Sequence, residues 1–198
     1  MNKLIILFGE EILVAFEVIE TEIEGLKLIN SFVSYDDRGF YRKAYEREIF
    51  NKKELPVQFY EYSIIKSCKG ALRGLHYQQN YSQGKFLQVI NGSIFDVALD
   101  LRKNSKTFGL YKTFILKATD EYSLFIPEGF AHGFLALEDD TYFTYLCTNK
   151  YDPESCGGIL WNDPELNILW PIDNMDKLIL TDKDKNWPTF RQYCDNIA

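Results

Sequence analysis

The sequence predicts an all-β chain, an antiparallel sandwich or barrel built as one domain. Two observations carry this. The 15 Phe and 13 Tyr, standing beside many Val and Ile, favour pleated sheets, on which flat and β-branched side chains pack well. The middle of the chain breaks into short apolar runs separated by turn-forming residues, at the spacing of about 8–12 residues typical of sandwiches and barrels. With 198 residues, 46% of them hydrophobic, the chain is long enough to bury a core and too apolar to be disordered. Twelve Gly and six Pro exclude a collagen-like or low-complexity chain.

In chain order, Met1 to Phe16 has a basic start at Lys3 and an apolar run from Leu4 to Phe8, which Glu10 and Glu11 interrupt. No small-residue cleavage site follows, so residues 1–16 read as an extra strand or a flexible extension and not as a targeting segment. Tyr45 to Lys53 carries the one helical pattern, with Tyr45, Ile49 and Phe50 apolar among charges. Lys85 to Ile90 and Ser93 to Leu101 are strand-like. The Asn91-Gly92 pair between them predicts a tight type I′ hairpin. Tyr111–Ala118, Tyr122–Ile126, Gly133–Leu137 and Thr141–Cys147 continue as strands. The turn signals between them lie at 118–121, 127–129 and 138–140. A jelly-roll core is expected over residues 23–150. Pro153, Gly157, Gly158, Pro164, Pro171 and Pro188 make residues 151–198 loops and short helices laid over the barrel.

The net charge of −7 argues against nucleic acid as a partner, but leaves room for an anionic small ligand in a local basic pocket. No run approaches the roughly 20 apolar residues of a membrane span, so no membrane partner is expected. Cys68, Cys147, Cys156 and Cys194 form no CxxC and no zinc-ligand spacing. They read as free thiols of a cytoplasmic protein.

The chain has two histidines, His76 in Arg73-Gly-Leu-His-Tyr-Gln78 and His132 in Pro127-Glu-Gly-Phe-Ala-His-Gly-Phe134. Lys85 opens the strand after His76. Tyr145 shares strand parity with Thr141 and Phe143, which points it into the barrel. A His, a Lys and a Tyr converging there would supply a base, a cation for a developing oxyanion and a proton donor. The competing reading makes Tyr145 a barrel-filling aromatic. A metal-binding barrel of the His-x-His type would need a second His where Gln78 stands, so no metal and no cofactor are expected. No Gly-x-Ser-x-Gly and no activated Cys setting suggest a nucleophile. One point resists: on an ideal strand Arg73 and His76 face opposite ways, unless Gly74 permits a bulge.

Arg73–Gln78, Gln83-Gly-Lys85, Gly92–Arg102, Pro127–Phe134 and Ile159-Leu-Trp-Asn-Asp-Pro164, taken in this order and spacing, resemble the dTDP-4-dehydrorhamnose 3,5-epimerases. The resemblance runs from about Ile23 to Asp184. It implies a cupin-type jelly roll, a homodimer formed by exchanging N-terminal strands, and metal-free action on a nucleotide-linked 4-keto-6-deoxy sugar. It implies that His76 is the base, that Asp184 orients it, that Lys85 holds the enolate oxygen and that Tyr145 returns a proton from the opposite face. Arg73, Gln83, His132 and Tyr151 would line the pyrophosphate and sugar region. Arg38 and Tyr41 would reach the nucleotide, with Arg38 coming from the partner subunit.

The chain departs from this family where the base is read. The family's thymidine enzymes carry Glu at the position of Lys43, and Gln and Asn at those of Glu61 and Ser63. A Glu accepts from thymine N3–H, whereas a Lys only donates. The resemblance implies that the sugar chemistry is retained. The base pocket is either rewritten for another nucleotide such as CDP or GDP, or recognises thymine differently. Two further readings stay open beside the 3,5-epimerase: a sugar-nucleotide-binding cupin without turnover, and a single-centre epimerase or ketoisomerase.

Overall fold

A computed structural model of the chain describes residues 5–8, 11–14, 16–173 and 175–197, the first two segments as backbone. Fifteen strands form three sheets among these residues. The strands are β1 (Ile5–Phe8), β2 (Glu11–Val14), β3 (Glu17–Glu20), β4 (Lys27–Asn30), β5 (Phe32–Asp36), β6 (Gly39–Lys43), β7 (Glu61–Ser67), β8 (Leu72–Gln78), β9 (Lys85–Asn91), β10 (Ser93–Asp100), β11 (Tyr111–Lys117), β12 (Tyr122–Ile126), β13 (Phe130–Ala136), β14 (Thr141–Cys147) and β15 (Cys156–Gly158). The helices are α1 (Arg47–Lys52), α2 (Asp182–Lys185) and α3 (Phe190–Ile197). One sheet runs β11-β10-β13-β8-β15, a second β3-β4-β12-β9-β14-β7, and a third β1-β2-β5-β6. The predicted all-β class holds, and the first two sheets pack as a jelly-roll sandwich.

Burial explains why the strands read as unbroken apolar runs. Ile94, Ala98, Phe114, Phe130 and Phe134 of the five-stranded sheet meet Leu87, Val89, Leu124, Ile126 and Phe143 of the six-stranded sheet in the central core. The outer face of the five-stranded sheet is also covered. Ile159, Leu166, Ile168 and Trp170 of the C-terminal segment pack on Leu75, Val97, Leu99 and Leu135. Hence β13 is buried at every position. On the other side α1 seats Phe50 against Phe86 and Phe125. A strand covered on both faces loses the polar alternation that would otherwise mark it.

The Asn91-Gly92 hairpin is not formed. β9 lies in the six-stranded sheet between β12 and β14, whereas β10 lies in the five-stranded sheet between β11 and β13. Gly92 has φ +73° and Asn91 is not among the residues of positive φ, whereas a type I′ turn needs two such residues in succession. Gly92 is instead a corner at which the chain crosses the sandwich. A Cβ there would stand 2.5 Å from Thr141 Oγ1. From β7 to β14 only β10 and β11 are sequence neighbours within one sheet; every other link changes sheets. Two further differences are smaller. The strand expected at 133–137 begins at Phe130, and the C-terminal segment contributes β15, which pairs with β8.

The bulge at Gly74 is present. Between His132↔His76 and Phe134↔Arg73, two residues of β8 face one of β13, and Gly74 takes φ +128°. This extra residue turns Arg73 and His76 to the same face. A Cβ on Gly74 would lie 2.4 Å from Gly133 Cα, a backbone atom with no freedom to move aside. Gly74→Ala is therefore expected to destabilise the chain by at least about 2 kcal/mol and to lower epimerase activity with it. An unchanged urea midpoint at unchanged m-value would refute this account of the bulge.

Candidate active site

Cross-strand register sets the site. On the inner face of the six-stranded sheet, Lys85, Cys147 and Glu61 stand side by side on β9, β14 and β7; two residues along, Leu87, Tyr145 and Ser63 do the same. On the facing sheet, His132 of β13 is paired with His76 of β8, and Arg73 is brought alongside by the bulge. Arg73, His76, Lys85, His132, Tyr145 and Asp184 line one cavity of about 320 Å³, whose wall also includes Gln83 and Tyr151.

His76 Nε2 lies 2.5 Å from Asp184 Oδ1. An ionised carboxylate only accepts, so Nε2 carries the hydrogen of this bond, and Nδ1 is the nitrogen turned away from Asp184. The His76 side chain is 44% exposed and Asp184 4%, which leaves the imidazole open to a ligand and its counter-charge sealed. Burial pushes the Asp184 carboxyl up, but the hydrogen bonds from His76, Thr181 and Trp187 outweigh it and hold the group below the usual carboxylate range. Trp187 packs edge-on to His76 at 6.0 Å, under Gly158, where a Cβ would strike the indole.

A second such pair was not expected from the sequence. His132 Nε2 lies 2.7 Å from Asp96 Oδ2, with Asp96 fully buried on β10. The available signal was an Asp inside the otherwise apolar Ile94-Phe-Asp-Val-Ala-Leu99 run. Lys85 also feels Asp96. Burial lowers its pKa, and the charges of Cys147, Asp96 and Cys156 oppose that shift. Tyr145 is pushed up to about 12, chiefly by burial, with Cys147 and Glu61 adding to the shift and Arg73 opposing it. It is a phenol that stays protonated.

Other expected residues fall at the rim or outside. Glu61 accepts from Tyr151 N at 2.5 Å and from Gln83 Nε2 at 3.3 Å, so it clasps two residues of the cavity wall together. Ser63 stands beside Tyr145. Gln78 is a structural bolt: its amide donates to Tyr81 O and Lys150 O and accepts from Asp152 N. Arg38, Tyr41 and Lys43 lie at β6, in the third sheet, and do not line this cavity. Lys43 pairs with Glu46 at 2.7 Å and Arg38 with Asp36.

Comparison with known proteins identifies the family. A family model described as dTDP-4-dehydrorhamnose 3,5-epimerase matches residues 20–192. The dTDP-4-dehydrorhamnose 3,5-epimerase of Methanothermobacter thermautotrophicus is 44% identical over 177 residues, spanning 89% of this chain and 96% of the relative. A crystal structure of the dTDP-6-deoxy-D-glucose-3,5-epimerase of Legionella pneumophila, in complex with dTDP-4-keto-L-rhamnose, superposes with a TM-score of 0.84 at 37% identity, over 88% of this chain and 93% of that one. A 3′-monoepimerase of Streptomyces bikiniensis, in complex with dTDP-quinovose, gives 0.83 at 29% identity over 89% of each chain.

The state of Tyr145 can be read directly. Subtracting the alkaline absorbance titration of Tyr145→Phe from that of the intact chain is expected to leave no phenolate signal below about pH 11, against the ordinary value near 10. Amplitude appearing near pH 10 would contradict the buried, neutral phenol.

Proposed function

The chain belongs to the dTDP-4-dehydrorhamnose 3,5-epimerase family, the nucleotide-sugar isomerases of deoxysugar biosynthesis, and from that premise we propose how its own residues carry the reaction. The observation that supports the reading is the placement of a His–Asp pair and a neutral Tyr on the inner faces of opposing sheets, with Lys85 in the same cavity. An epimerisation must take a proton from one face of a sugar ring and return one to the other. A lone acid–base residue would restore the original configuration.

His76, through the lone pair on Nδ1, removes the proton from the carbon beside the ketone. The C–H electron pair becomes the enolate π bond, and the carbonyl pair moves onto oxygen. The Lys85 ammonium stabilises that oxyanion. Tyr145 then gives its hydroxyl proton to the carbon from the far face. The imidazolium loses its proton to solvent and the phenolate takes one up, which restores the starting state. Asp184 holds the imidazolium through its charge and its hydrogen bond. Arg73, His132, Gln83 and Tyr151 bind the sugar and pyrophosphate.

The substrate is a nucleotide-linked 4-keto-6-deoxy sugar. The dTDP-4-keto-L-rhamnose of the Legionella structure supports that class, and the dTDP-quinovose of the Streptomyces structure supports its nucleotide-linked 6-deoxy part. The likeness to a 3′-monoepimerase keeps inversion at C3 alone as a second reading. Lys43, Glu61 and Ser63 select the base among dTDP, CDP and GDP. The functional unit is a homodimer working in the cytoplasm. Arg38, Tyr41 and Lys43 stand away from their own cavity, and Phe40, Tyr41, Tyr60, Tyr62 and Ile64 are all more than 60% exposed. A second copy covering these side chains would bring β6 to its neighbour's site.

Two measurements test this. Incubating the protein with a panel of nucleotide 4-keto-6-deoxy sugars in heavy water is expected to give deuterium at C3 and C5, or at C3 alone under the second reading. His76→Ala abolishes exchange and inversion together, a loss of about 10²–10⁴-fold. Tyr145→Phe keeps exchange and loses inversion, because His76 still returns a proton to the face it came from. Equal loss of both in Tyr145→Phe would sink the two-face assignment. Light scattering is expected to give a dimer at micromolar concentration, and a monomer would overturn that part of the proposal.

A further inference from the structure

We propose that Thr181 is a positioning residue for the reaction, fixing which oxygen of Asp184 is presented to His76. The inference rests on the reading of His76 as the base. Every other side chain assigned to proton transfer or enolate binding sits on a strand, locked by ladder bonds on both sides. Asp184 does not. It is carried by α2, a helix of four residues, just after the point where Ile179 bridges Ala71, donating to Gly70 O and accepting from Leu72 N, each at 2.9 Å. Local contacts must therefore aim its carboxylate.

Thr181 supplies two of them. Its Oγ1 accepts from Asp184 N at 3.2 Å and donates to Asp184 Oδ2 at 2.7 Å. A hydroxyl has one hydrogen, so the polarity is set: the carboxylate is the acceptor. With Oδ2 tied, Oδ1 is left facing His76 Nε2 at 2.5 Å and, more loosely, Trp187 Nε1 at 3.4 Å. Among the described residues Oδ2 has no other donor. Asp184 is 3% exposed, so water is a poor substitute.

The charged surroundings are known. His76 and Arg73 reach the cavity from β8, Lys85 from β9, His132 from β13 and Tyr145 from β14. On the helix itself Lys183 lies over the Trp187 ring at 4.9 Å, and Lys185 pairs with Asp182 at 3.1 Å. None of these replaces the hydroxyl at Oδ2.

The consequence is specific. Without that bond the carboxylate turns, and its pKa rises because a buried anion has lost a donor. The imidazole then loses its fixed tautomer and, at low pH, its counter-charge. Thr181→Val keeps the shape and removes the hydroxyl; Thr181→Ser keeps the hydroxyl. The chain has only two histidines, so nitrogen-15 spectra of histidine-labelled protein resolve both, with His132 on Asp96 as internal reference.

The intact chain and Thr181→Ser are expected to show His76 as the Nε2–H tautomer. Thr181→Val is expected to show a mixture, a kcat lower by roughly tenfold at little change in KM, and an acid limb moved to higher pH. If Thr181→Val keeps the single tautomer and the unshifted pH profile, the proposal is wrong, whatever happens to Tm. Should Thr181→Val fail to fold, Thr181→Ala against Thr181→Ser makes the same comparison. If the intact chain exchanges no proton in any 4-keto sugar, the reading of His76 as the base fails, and the tautomer spectra still decide whether Thr181 aims Asp184.

Discussion

A charged proton-transfer set can be held between two β-sheets only if every ionic group meets a partner there, because an isolated ion in a low-dielectric core costs several kcal/mol. That constraint organises this molecule. The Asp184 carboxylate meets His76, the Asp96 carboxylate meets His132, and Lys85 lies within the field of Asp96. Each partner comes from a different element. The jelly-roll crossing that separates sequence neighbours into opposite sheets also brings distant carboxylates to the histidines.

Burial then divides labour among groups of similar chemistry. Tyr145 is pushed to about 12 and remains a donor. Burial pulls the Lys85 pKa down, and the nearby Asp96 carboxylate opposes that shift. His76 is half exposed, whereas His132 is 6% exposed, although both bind a carboxylate through Nε2. The exposed member can meet a ligand carbon. The buried one is a fixed part of the wall. The residues between the sheets are thus sorted by their access to the cavity as much as by their type.

The outer layers serve the same end. The C-terminal segment covers an apolar sheet face with Ile159, Leu166, Ile168 and Trp170, and in doing so delivers Asp184 and Trp187 to the cavity. The segment is pinned at several points, among them the Leu160 N to Pro188 O bond at 2.9 Å and the Asp163 carboxylate on Phe190 N at 2.8 Å. Packing of a hydrophobic patch and completion of the site are here one event. Glu61 plays a comparable part at the other side of the cavity, clasping Gln83 and Tyr151.

The sequence by itself determined the β class, the α1 helix around Phe50, the inward parity of Tyr145 and the small set of His, Lys and Tyr that could move a proton. These follow from local periodicity and composition, which need no knowledge of the partner strand. It also posed the Arg73 and His76 conflict correctly, since Gly74 is the residue type a bulge requires. Tertiary structure alone decided the rest. The Asn-Gly signal at 91–92 is local, but β9 pairs with β12 and β14 and β10 with β11 and β13 in the other sheet, so the chain turns a corner there and makes no hairpin. Asp96 stands out as one polar residue in an apolar strand, but such a residue does not announce its partner. Thr181 caps α2, and only the fold that carries α2 to His76 gives that hydroxyl a place beside the site. Pairing across 108 residues, as between His76 and Asp184, is fixed by packing and register, and no local pattern in a sequence encodes either.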